Sequence, residues 1–113
     1  MVRLIRRGLA STLAAAAVVA SGPCFAWDGV VSGTVSEVDV TAGNNFALRV
    51  FLSGVSGPLC TGSTSSFGYL NNTDSNYSTY VAAVMMAKAT GARVAMYLTL
   101  VSGQCQIGYL AVS

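Results

Sequence analysis

The sequence predicts a small, mainly β domain with one helix. Three observations predict it. Residues 46–52 and 92–101 place apolar side chains at every second position, the period of a half-buried strand, and 30–40 and 105–112 read as further strands. One stretch, residues 77–90, carries a helical stripe between turn-forming residues and a glycine. Two cysteines, Cys60 and Cys105, form an even pair once the N-terminal segment is set aside.

That segment reads as an export signal. Arg3, Arg6 and Arg7 precede an apolar run over residues 9–20, and Gly22, Pro23, Cys24, Phe25 and Ala26 follow. A basic start, an apolar middle and a small-residue end are the three parts of a secretory signal peptide. The run is shorter than the roughly 20 residues a membrane span needs. Cleavage after Ala26 fits best, with Cys24 three residues back, and Ala20 is the second choice. Pro23 argues against lipid attachment at Cys24. The expected division is therefore a cleaved signal over 1–26 and a single domain over 27–113, in the periplasm or secreted, with no membrane span left after cleavage.

Charge narrows the function classes. Outside residues 1–26 the cations are Arg49, Lys88 and Arg93, and the acids are Asp28, Glu37, Asp39 and Asp74. Three scattered cations cannot build a stripe that tracks phosphates, so nucleic acid is not an expected partner. The sequence has no histidine. Serine–histidine and cysteine–histidine nucleophiles are thereby excluded. Four dispersed carboxylates suggest no metal cluster, and no glycine-rich stretch matches a phosphate loop. The chain reads as a non-enzyme without cofactor or metal. Glu37 and Asp39 share a strand face, and a solubility role is the simpler reading of such a pair.

The elements follow in order. In residues 30–40, Val31, Gly33 and Val35 share one parity and Val38 and Val40 the other, which predicts a bulged strand. Residues 41–45 read as a turn, and a second strand places Phe46, Leu48, Val50 and Leu52 inward with Arg49 outward. A Gly/Ser-rich loop with Pro58 and Cys60 covers 53–66, and a short strand covers 67–70. Asp74 or Ser75 is expected to cap the helix over 77–90, and Gly91 to stop it. Val94, Met96, Leu98 and Leu100 form the inner face of a long strand, residues 102–104 turn the chain, and 105–112 form the last strand. Cys60 and Cys105 are expected to pair as a structural disulfide, since neither a CxxC spacing nor a histidine suggests redox or metal use.

Only Lys88 is charged in the helix. A helix on an isolated small domain should show a charged outer face. Small and apolar residues nearly all round suggest cover by a second copy of the chain. Before the helix, Asn71, Asn72, Thr73, Asp74, Ser75 and Asn76 lie next to Tyr69, Tyr77 and Tyr80. Amides and hydroxyls beside aromatic rings suit a sugar, so Tyr69, Asn72, Asp74 and Tyr77 are candidate binding residues. The same residues are ordinary turn and cap formers.

The order strand–strand–strand–helix–strand–strand looks like a five-stranded OB-like β-barrel with its helix between strands 3 and 4. The pattern Asp28-Gly29-x-x-Ser32-Gly33-x-Val35 opening the first strand resembles the binding subunits of the subtilase cytotoxin and typhoid toxin family. The apolar aromatic helix, Thr90-Gly91 and the Arg93-Val94-x-Met96-Tyr97 strand are similar to the same family. The resemblance implies a ring of five identical subunits that binds cell-surface glycans and carries a separate enzymatic toxin subunit. It places Ser32 and Asp28 at the sugar and the helix around the ring centre. The loops after Phe51 and Leu100 are shorter than in that family, and its second disulfide is missing. The alternative is an exported structural or interaction protein with an OB-like barrel and no sugar site.

Overall fold

A computed structural model of the chain describes residues 27–113; the expected export signal, with its expected cleavage sites and Cys24, lies outside the described residues. The elements are β1 (Gly29–Val40), β2 (Leu48–Leu52), β3 (Gly68–Leu70), α1 (Tyr77–Thr90), β4 (Arg93–Val101) and β5 (Gln104–Val112). The five strands form one closed ring in the order β1-β2-β3-β5-β4. All neighbours are antiparallel except β3 and β5, which run parallel. A parallel pair needs a long crossover, and here α1 and β4 supply it.

β1 serves two partners. Gly29 to Thr34 pair with β4, and Val35 to Val40 pair with β2. The register shifts between Val35 and Glu37, at the change of partner. The switch of apolar parity marks this bulge, which bends the strand around the ring. Val40, 68 % exposed, lies past the point where that parity faces the core.

β2 begins at Leu48, two residues later than the alternation suggests. Phe46 has φ 52°, a left-handed conformation that no strand continues. Its N–H donates to Asn71 Oδ1 at 2.8 Å, and its ring meets Tyr69 edge-on at 4.7 Å. Phe46 therefore ends the turn and covers β3 rather than starting β2.

The core gathers Leu48, Val50 and Leu52 of β2, Val94, Met96 and Leu98 of β4, Ile107 of β5, and Val84 and Ala87 of α1. Leu100, expected inward, is 37 % exposed. β4 outruns its partner there, because the first β1 residue, Gly29, already pairs with Leu98. Gly29 is a close-approach position: a Cβ there would overlap the Leu59 carbonyl oxygen. The loop over 53–66 is thereby seated directly against the start of β1.

That loop is also tied down elsewhere. Cys60 and Cys105 form a disulfide, with Cα atoms 5.9 Å apart and a sequence separation of 45. Ser63 Oγ donates to the Gly103 carbonyl at 2.8 Å and accepts from the Ser65 N–H at 2.9 Å. Ser65 Oγ donates to Gln104 Oε1. Both serines are buried, and these bonds satisfy them.

The cap of α1 differs from expectation. Asn76 is the N-cap, in the left-handed region at φ 61°, and no side chain caps the first turn. Asp74 is spent elsewhere: its Oδ2 accepts from the Asn71 N–H at 2.8 Å and from Gln106 Nε2 at 3.0 Å. The C-terminus is as expected, with Gly91 at φ 73° donating its N–H to the Ala87 carbonyl. Lys88 in the last turn suits the negative end of the helix dipole. Val84 and Ala87 are buried, while Met85 and Met86 are 42 % and 57 % exposed. One side of α1 packs on the ring, and its opposite side carries methionines to the surface.

Candidate functional site: the outer face of β1, β4 and β5

The cross-strand register places the outward side chains of three strands in four rows. Gly29 pairs with Leu98, so Asp28 adjoins Thr99, and Thr99 pairs with Gln106. The next row is Val30, Tyr97 and Tyr109, and the next Ser32, Ala95 and Ala111. Thr34 and Arg93 form the fourth, with Ser113 bonded to Arg93 through both backbone groups. Inward residues between these rows, such as Val94, Met96 and Leu98, are fully buried.

Aromatic rings dominate one row. Trp27 contacts Tyr97 at 5.7 Å and Tyr109 at 6.4 Å between centroids, and the two tyrosines meet edge-on at 4.9 Å. Space for the indole comes from Gly108, where a Cβ would lie 2.6 Å from the Trp27 ring. Gly108 is the extra residue at the register shift that follows Tyr97. Tyr109 and Val30 remain 54 % exposed each. Such an apolar cluster on the solvent side of a sheet invites a binding role.

Asp28 and Ser32 lie on this face but do not share a pocket. An open groove of about 390 Å³ is lined by Asp28, Gly29, Val30 and residues 58–61. Ser32 lies four residues further along the strand, about 13 Å at the usual strand rise. Asp28 Oδ2 accepts the Leu100 N–H at 2.7 Å, which fixes the start of β1 to β4. Ser32 Oγ accepts from Arg93 Nη2 at 3.4 Å, a long and exposed contact.

The candidates before the helix fare differently. Tyr69 is 3 % exposed, so its ring offers no face to a sugar. Burial, and secondarily the charge of Asp74, pushes the Tyr69 hydroxyl above its ordinary pKa. Asn72 donates its N–H to the Gly43 carbonyl at 2.8 Å, and its amide lies over Gly43. Tyr77 is half-buried against the core. These residues tie the turn before β2 to the start of the helix. A small pocket of about 140 Å³ does exist nearby, lined by Asn76, Thr79, Tyr80, Ala83 and Leu110.

Glu37 is exposed, and the neighbouring Asp39 carboxylate, through hydrogen bonding first and its charge second, raises the Glu37 carboxyl above its ordinary pKa. Among the described residues no group of three or more His, Cys, Asp and Glu is arranged to hold a metal. No helix among them is long and apolar enough to cross a membrane.

The residues that sequence reasoning missed are Trp27, Val30, Tyr97 and Tyr109. A signal was present. Tyr97 has the opposite parity to Val94, Met96 and Leu98, whereas Tyr109 shares the parity of Cys105 and Ile107 and is turned outward only by the extra residue Gly108 at the register shift. An aromatic residue at solvent parity on a strand, as at Tyr97, is the kind of side chain enriched where proteins make contact. No protein-family model matches the chain, and no curated protein matches it.

Proposed function

We propose that the chain is an exported, non-catalytic interaction protein with an OB-like barrel, working as an assembly of identical copies. The observation that carries this is the exposure of large apolar side chains on a domain with few charges. Val30, Met85, Met86, Val101 and Tyr109 are all more than a third exposed. Monomers rarely leave that much apolar surface open to water. The ring order, with the helix between the third and fourth strands, supports the OB-like reading. Light scattering on the purified protein tests assembly. A mass of two or more chains is expected, and a single-chain mass at all concentrations would overturn the proposal.

A second reading is the glycan-binding toxin subunit, a homopentamer with an enzymatic partner. The groove at Asp28 favours it, because its size suits a monosaccharide and it has a carboxylate at its edge. It ranks second because Tyr69 is buried and one oxygen each of Asp28 and Asp74 is already bonded within the chain. A glycan array is its test: binding that is lost in Asp28→Asn would raise this reading above the first.

A further inference from the structure

We infer that the outer face of β1, β4 and β5 is a self-complementary surface, and that its occupant is the same face of a second copy. The inference rests on the self-assembly reading above and names the surface and the symmetry.

The argument comes from the four rows. Take a two-fold axis lying in the interface and perpendicular to the strands. It reverses strand direction and exchanges the first row with the fourth and the second with the third. The bulky row of Val30, Tyr97 and Tyr109 then rests on the small row of Ser32, Ala95 and Ala111 of the other copy, twice over. Large side chains meet small ones, as close packing requires. The same operation carries the Asp28 row onto the row holding Arg93. These are the face's only charged side chains. Their backbone positions stand at opposite ends, about 20 Å apart for six residues of strand, and the Arg93 side chain reaches back to Ser32. Asp28 of one copy thus falls over Thr34 of the other, one strand away from Arg93 and within reach of its long, exposed side chain. The alternative axis, parallel to the strands, leaves Asp28 facing the Gln106 end and pairs no charges. Isologous contact of this kind closes at two copies.

Size sets the strength. Three strands at about 4.8 Å spacing and 20 Å of length give a patch well under the ~800 Å² per partner of a standard interface. A patch of this size belongs with weak, transient contacts.

The test is sedimentation equilibrium of the protein, purified after expression of the full chain, from micromolar to near-millimolar concentration. Ala111 is exposed, so Ala111→Arg is tolerated by the fold and places a long side chain where Tyr109 of the other copy should rest. Both Ala111→Arg and Arg93→Glu are expected to weaken association about tenfold or more. Adding Asp28→Lys to Arg93→Glu should recover part of the loss, since the two charges are then exchanged. Circular dichroism and the intact disulfide confirm folding. Unchanged association in Ala111→Arg and Arg93→Glu would overturn this surface while leaving self-assembly through another, such as the methionine side of α1. A wild-type protein that stays monomeric throughout would overturn both.

Discussion

Replacing Cys60 and Cys105 together by alanine is expected to cost about 4 kcal/mol of stability, from the entropy of closing a loop of this length. The disulfide closes a loop with a sequence separation of 45 that holds all of β3, α1 and β4. In the unfolded chain those elements are held as one loop, and without the bond they are not. For a domain of this size such a loss lowers the melting temperature by about 15–30 °C. The effect is large because a small domain buries a limited core. Cys60 is 4 % exposed and Cys105 0 %, so reductant reaches the bond only when the loop over 53–66 opens. Thermal melts of the oxidised protein and the double variant check the prediction. A shift of only a few degrees would show that the bonds of Ser63 and Ser65 hold the loop by themselves.

Leu98→Ala is the second large effect, with an expected loss of about 3–5 kcal/mol, toward the upper part of the range for buried leucines. Leu98 is 0 % exposed at the centre of β4. It pairs with Gly29 on one side and Ile107 on the other. Its Cδ2 lies 3.0 Å from where a Gly68 Cβ would be. Gly68 has no side chain to move into the space, so the void stays open, and the ring's hydrogen bonds resist collapse of the backbone. Gly68→Ala alone should also destabilise, because the new methyl would press on Leu98, Ile107 and Met96. The double variant should be more stable than the sum of the two losses implies. Urea titrations of the three variants measure this. Strict additivity would show that the two positions do not share the cavity.

The legible parts of the fold were those with a local cause. The bulge in β1 was visible because the apolar parity changes within residues 31–38. Gly91 was legible as the helix stop, since glycine alone takes φ 73° without strain. Illegible parts had distant causes. Phe46 reads as a strand residue until Asn71 Oδ1 takes its N–H from 25 residues away. Asp74 reads as a cap until Gln106, 32 residues on, donates to it. Tyr69 reads as a surface aromatic because a three-residue strand is too short to show a parity. In β3 all three residues are buried.

The candidate site divides the same way. The resemblance placed Asp28 and Ser32 together at a sugar, but their separation along the chain and the groove beside only Asp28 were not legible. Trp27, Tyr97 and Tyr109 are up to 82 residues apart in sequence and meet only through the register of β1, β4 and β5. By itself, then, the sequence determined a mainly β chain with one helix, the inward faces of its longer strands and the pairing of its two remaining cysteines. These follow from side-chain period and from counting. The tertiary structure alone decided ring closure, the parallel β3–β5 pair and the rows of the outer face. Which strand lies beside which, and in what register, depends on packing between residues far apart in the chain, and no local period carries that information.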